Sequence, residues 1–208
     1  MRIPINIKCP QCGRQLDIFI QLDEYQIKST CECGMDISGA LAGFTVGYKL
    51  LARSRYEFQR NSDYSLCIVF AATAMECELS RLYFKWTKLN ISINDAWPED
   101  QALEASLRSF SNIADKIENV SSLMYRSGIQ DFLASQSELS EMIATRFDKI
   151  DLNNLATSFQ KTLFWPRNRI LHLGFTKYDS IEATYCYNTA ALGLKILNSL
   201  DMHKINAT

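Results

Sequence analysis

Histidine is nearly absent from this chain: His172 and His203 are the only two in 208 residues. So small a supply removes a histidine-built metal centre from consideration. The sequence also lacks any uncharged apolar run of 18 residues, so no membrane-spanning helix and no membrane partner are expected. Its opening, MRIPINIKCP, has no apolar core of the kind a secretory leader needs. A soluble, cytoplasmic protein is the expectation. There is no Gly-rich phosphate loop, no dinucleotide fingerprint and no His-Glu metal motif. No serine sits in a recognisable nucleophile turn, and no repeat or low-complexity segment occurs. Disorder is equally foreign to the composition, which is 47% hydrophobic and 11% aromatic with a net charge of -1.

Cysteine, in contrast, is well supplied, with seven residues. In a chain without a secretion signal, their spacing points to metal binding rather than to disulfides. Cys9-Pro10-Gln11-Cys12-Gly13 and Cys31-Glu32-Cys33-Gly34 form two short pairs, 18 residues apart and each followed by glycine. Four thiolates suit one tetrahedral zinc, with no position left for a catalytic water, so the zinc is expected to be structural. Ile3, Ile5 and Ile7 alternate along the chain, as do Leu16, Ile18, Ile20 and Leu22, the pattern of two strands flanking the first pair. Residues 1–38 thus resemble a zinc ribbon, with Cys-x-Cys in the second pair where Cys-x2-Cys is usual. This module carries Arg2, Lys8, Arg14 and Lys28 against Asp17, Asp23, Glu24, Glu32 and Asp36. That balance disfavours a strong phosphate-binding surface. It leaves either a protein-partner or substrate-positioning role, or a metal-stapled cap. Cys67, Cys77 and Cys186 lie among apolar residues and read as core.

From Gly39 the periodicity becomes helical. Residues 40–60 carry Leu41, Phe44, Leu50 and Leu51, interrupted by Gly43 and Gly47. Asp63 is placed to cap a long central helix reaching about Lys88, with a stripe of Leu66, Phe70, Ala74, Cys77, Arg81 and Phe84. Trp97-Pro98-Glu99-Asp100 marks a further start, and Leu103, Leu107, Phe110, Ile113, Ile117 and Val120 predict one helix to about Arg126, stopped by Gly128. One or two shorter helices are expected over 132–147, with a capping box near Ser137. Another, capped by Asn153 or Asn154, should be kinked at Pro166, with Trp165 driven from helical angles. A final helix spans Ile181 to Leu200, leaving His203 in a frayed, solvated tail. The expected fold is mainly α: an all-helical domain over 39–208 behind a small β module.

The stretch Phe164 to Gly174, FWPRNRILHLG, concentrates the chemistry. Between Gln160 and Tyr178 lie Lys161, Arg167, Arg169 and Lys177 and no acid. Asn168 and His172 fall one helical turn apart on the same face. A cationic surface beside an imidazole suits a phosphate ester. Arg167-Asn168-x3-His172, with apolar residues before the histidine, a glycine soon after it and a long amphipathic helix to follow, resembles the R-x4-6-H signature of the HEPN superfamily. Many members of that superfamily are metal-independent ribonucleases.

The resemblance covers the helical part only, and it implies a HEPN-like bundle that forms a homodimer with two motifs facing one cleft. Some members carry an acidic residue on the helix facing the site. Glu76 is the matching candidate here, the alternative being a solvated carboxylate on the outer face. The implied chemistry is RNA cleavage through 2'-OH attack: His172 transfers protons, Arg167 stabilises charge and Asn168 orients. Use in a toxin or antiviral defence system is a further implication of the family. The competing expectations are a non-catalytic HEPN-type module binding nucleotide, RNA or protein, and a plain core histidine with a surface arginine.

Overall fold

The computed structural model describes residues 2–9, 11–21, 30–35, 45–90 and 99–207. The expected boundary between residues 38 and 39, Gly43 and the Trp97-Pro98 signal fall outside them. The described residues are mainly helical.

The alternating isoleucines form strand β1 (Arg2–Lys8), paired antiparallel with β2 (Gln15–Gln21) in a register running from Arg2 opposite Gln21 to Lys8 opposite Gln15. The turn between them is the first cysteine loop. It is closed by Cys9 N–H to Arg14 O and Gly13 N–H to Cys9 O, both at 2.8 Å. Gly13 takes φ 71°, a left-handed conformation open to glycine at little cost.

Helix α1 (Val46–Tyr56) runs into a single π-helical turn, Glu57–Asn61. Asp63 then caps α2 (Tyr64–Leu89), its carboxylate accepting from Leu66 N–H at 2.9 Å. This cap and the helix end agree with expectation, but the stripe does not. Leu66 is exposed, and Phe70, Cys77, Arg81 and Phe84 are half-buried. The buried set is Cys67, Ile68, Ala71, Ala72, Ala74, Met75, Glu78, Leu79, Leu82, Tyr83 and Trp86. An all-round apolar helix offers several stripes of the same period, and its neighbours choose among them.

Helix α9 (Ser180–Ala207) packs along α2, and its Ala183, Cys186, Ala190, Leu194 and Leu197 are buried at three- to four-residue spacing. It extends past the expected end at Leu200. His203 is therefore helical rather than frayed: its ring lies edge-on to Tyr125 at 5.3 Å and Phe132 at 5.7 Å.

The helix expected over 103–126 is two helices, α3 (Asp100–Arg108) and α4 (Ile113–Met124). Asn112 breaks the pattern, because its side chain accepts from Asp115 N–H at 2.9 Å and so starts a new helix. Phe110, freed from the helical stripe, turns edge-on to Tyr83 at 5.9 Å. Helices α5 (Gly128–Ala134) and α6 (Ser137–Arg146) follow, the latter without a side-chain cap. In the next start, Asp151 rather than an asparagine accepts the backbone bond, from Asn153 N–H.

A cluster of charge lies inside this bundle. Glu78, buried, pairs with Arg81 at 2.6 Å and accepts from Thr45 Oγ1 at 2.6 Å. Asp201 on α9 accepts from Trp86 Nε1 at 2.7 Å and Lys85 Nζ at 2.6 Å, tying the two long helices together. Where α1 crosses α2, a Cβ on Gly47 would stand 2.7 Å from the Ala74 carbonyl oxygen, a backbone atom that cannot swing aside. Gly47→Ala is expected to destabilise the protein by about 1–3 kcal/mol, measured by urea unfolding. An unchanged midpoint would show that the two helices can separate freely.

Candidate active site and metal centre

The motif helix begins upstream of the motif. Helix α7 (Leu155–Phe159) passes through a π-helical turn, Gln160–Phe164, into α8 (Trp165–Leu173). Trp165 is fully helical at φ -63°, ψ -47°, so the expected break before Pro166 does not occur. The wider π turn accommodates the proline, which then sits in the first turn of α8, where its missing N–H is least costly. The Thr162 carbonyl, which residue 166 cannot serve, accepts from the Cys186 thiol at 3.2 Å. Burial pushes that thiol up to about 12, keeping it protonated and a donor. Gly174 ends α8 at φ 62°, with Phe175 N–H reaching back to Arg169 O. The Tyr178 hydroxyl donates to the Pro166 carbonyl at 3.2 Å and pins the helix to its return loop.

Arg167 turns inward. Its Nη2 donates to Glu76 Oε2 on α2 at 3.0 Å, and its Nη1 to Asn168 Oδ1 at 2.9 Å, while Nε is shielded from solvent and has no hydrogen-bond partner. Glu76, with a side chain 32% exposed, also meets Lys116 Nζ of α4 at 3.5 Å. The acid nominated from the sequence therefore faces the motif arginine across 91 residues, and the alternative of a free outer-face carboxylate is set aside.

His172 does not join them. Five residues beyond Arg167, it lies well round the helix on the exposed face, in line with Asn168 and Trp165. It has no hydrogen bond to another described residue, so the reading of a core histidine also falls. Its chain neighbours Leu171 and Leu173 are exposed apolar residues, 51% and 76% accessible. The cationic surface is smaller than the sequence suggests, since Arg167 is ion-paired; the exposed Arg169 keeps its charge, its guanidinium stacked 4.0 Å from the Phe175 ring centroid.

Comparison with protein-family models, curated proteins and solved structures finds no match to this chain. Its chemistry must be read from its own residues.

Beside Arg167 lies a cavity of about 420 Å³. Lys116, Arg108 and Trp165 line it; from the sequence Trp165 was considered only for its backbone, and the two cations were not singled out. Lys116 and Arg108 reach it only because the α3–α4 break turns the chain there, and the SNIAD cap at Ser111–Asp115 was the one local signal of that break.

The second site is sulfur-rich. The Sγ atoms of Cys9, Cys12, Cys31 and Cys33 all lie within 4.8 Å of one another, and two pairs approach to 3.7 Å (Cys9–Cys33) and 3.6 Å (Cys12–Cys31). Four sulfurs at tetrahedral angles about 2.3 Å from an ion would stand roughly 3.8 Å apart, so the arrangement fits a tetrahedral metal. The second loop repeats the first: Gly34 N–H bonds Cys31 O, and Gly34 takes φ 87°. Shortening to Cys-x-Cys has therefore not prevented the turn. The Cys12 amide draws the Cys9 thiol down to about 6. Cys33 is pushed up to about 12 by its hydrogen bond with Cys31 and by desolvation, against the opposing pull of the Met35 amide. Among the described residues this is the one His/Cys/Asp/Glu cluster with metal-ligand spacing.

Proposed function

We propose that this chain is a metal-independent endoribonuclease of the HEPN type, acting as a two-fold dimer, with a structural zinc in its N-terminal module. The observation that carries the reading is the Glu76–Arg167–Asn168 constellation. A motif arginine is held half-buried by an acid from the central helix, beside a cavity large enough for a nucleotide.

RNA brings its own nucleophile. His172 takes the proton of the 2'-OH, O2' bonds to phosphorus, and the P–O5' bond breaks to leave a 2',3'-cyclic phosphate. O5' then takes a proton and departs as 5'-OH. Arg167 bears the charge that builds on the non-bridging oxygens. Two proton transfers on opposite sides of one phosphorus call for two acid–base groups. The chain has one motif histidine, so the second must be the His172 of a second copy. The exposed apolar residues Leu171 and Leu173, which flank His172 in the chain, suit such a contact.

Light scattering is expected to give twice the 23.8 kDa chain mass, with about 1,200 Å² or more buried in total. Leu173→Glu should shift the protein to monomer and remove cleavage while the helical signal persists. A monomer that cleaves RNA at tens of micromolar would defeat the shared-site scheme.

The separation of His172 from Arg167 within one chain favours a second reading, a non-catalytic HEPN-type module that binds RNA or a protein partner. Incubation of purified protein with a labelled RNA panel, with and without chelator, decides between them: binding without cleavage supports the second.

A further inference from the structure

We infer that the cavity bounded by the α3–α4 break and α8 is a subsite for one unstacked nucleotide of single-stranded RNA, with Trp165 as the platform on which its base lies. That the polymer is RNA rests on the ribonuclease reading above; the anionic and aromatic character of the ligand rests on the cavity itself.

Charge comes first. Lys116, Arg108 and Arg167 line the space against a single lining carboxylate, Glu76, which serves Lys116 and Arg167, while Arg108 meets the exposed Glu104 outside the lining at 3.3 Å. The lining is thus left with net positive charge. An occupant with negative charge answers that imbalance, and a phosphodiester carries it.

Shape and aromatic content narrow the choice further. At about 420 Å³ the cavity falls in the range of small-ligand sites, roughly 300–1,000 Å³. Phe110 and Phe164 also line it, but Phe164 is buried and Phe110 is engaged with Tyr83. Trp165 is 52% exposed and lines the same space, leaving a large aromatic surface available to a ligand. An acidic peptide would use the cations but not this ring. A nucleotide uses both, and only a base out of its stack can lie on an indole, which selects single strands. Trp165 shares the exposed face of α8 with Asn168 and His172, so the nucleotide it holds adjoins the bond to be cut. Trp165 is in this sense a positioning residue.

The test is fluorescence anisotropy with a labelled 2'-O-methyl oligoribonucleotide, which cannot be cleaved, on the full chain. Trp165→Ala is expected to weaken binding about tenfold, and Trp165→Phe to retain most of it. Removing one base from the oligonucleotide should cost wild type a similar factor at one position and cost Trp165→Ala nothing further. Lys116→Ala should weaken binding and reduce its salt dependence. Wild-type affinity in Trp165→Ala, or equal competition by an acidic peptide, overturns the inference. If RNA is cleaved but Trp165→Ala leaves KM unchanged, the inference fails and the ribonuclease reading stands. If no RNA is cleaved yet binding depends on Trp165 and on the base, the ribonuclease reading fails and the inference stands.

Discussion

Replacing His172 by alanine is expected to lower RNA cleavage by about 10²-fold or more, the usual loss when a proton-transfer group is removed. His172 is exposed and makes no hydrogen bond to the described residues, so the fold should be untouched and the loss should fall on the chemistry alone. Arg167→Ala is expected to lower cleavage by about as much, on the scale seen for losing one charge-stabilising donor. Here a structural contribution must be separated, because the same change strips Glu76 of its closest partner. Arg167→Lys keeps the charge but not the two-pronged grip on Glu76 and Asn168, and should stay well below wild type. The products should end in 2',3'-cyclic phosphate and 5'-OH, and RNA methylated at the 2'-oxygen of the scissile position should resist. Cleavage at full rate by His172→Ala would leave the binding-module reading in possession.

Elemental analysis of the purified protein is expected to give about one zinc per chain, held by Cys9, Cys12, Cys31 and Cys33. Binding gathers four thiols and strips their protons, so metal uptake should release acid and weaken as pH falls. Structural zinc in small modules contributes on the order of 10 kcal/mol, far more than a two-stranded hairpin can gather by itself. Chelation, or Cys31→Ser, is therefore expected to abolish hydrogen-exchange protection in the β1–β2 hairpin. The far-UV helical signal should remain, because the buried apolar core is built from residues 51–200. A metal-free protein with a protected hairpin would refute the zinc assignment. Removal of the ribbon metal should leave the cleavage chemistry itself intact, since His172 and Arg167 act without it.

Some of this was legible residue by residue. Alternating isoleucines and two Cys–Gly loops specified a hairpin and a sulfur cluster, because period-2 patterning and left-handed glycines are local properties of the chain. Asp63 named its own helix start for the same reason. Gly174 ends α8 through a local backbone turn, and the pairing of Glu76 with Arg167 could be nominated, though only through the resemblance. Other features were closed to a local reading. The stripe of α2 was ambiguous because nearly every side is apolar, and only the positions of α1 and α9 chose Cys67, Ala71 and Met75 over Leu66 and Phe70. Pro166 was read as a break, yet a π turn upstream and the Cys186 thiol on a distant helix let the chain continue, so α8 presents His172 outward and Arg167 inward. The cavity beside Arg167 exists because Asn112 outcompeted a continuous apolar period, bringing Lys116 and Arg108 to a wall that also holds Trp165. Sequence determines what depends on neighbours along the chain. Which face a helix buries, and which charges meet across 40 or 91 residues, was decided by packing.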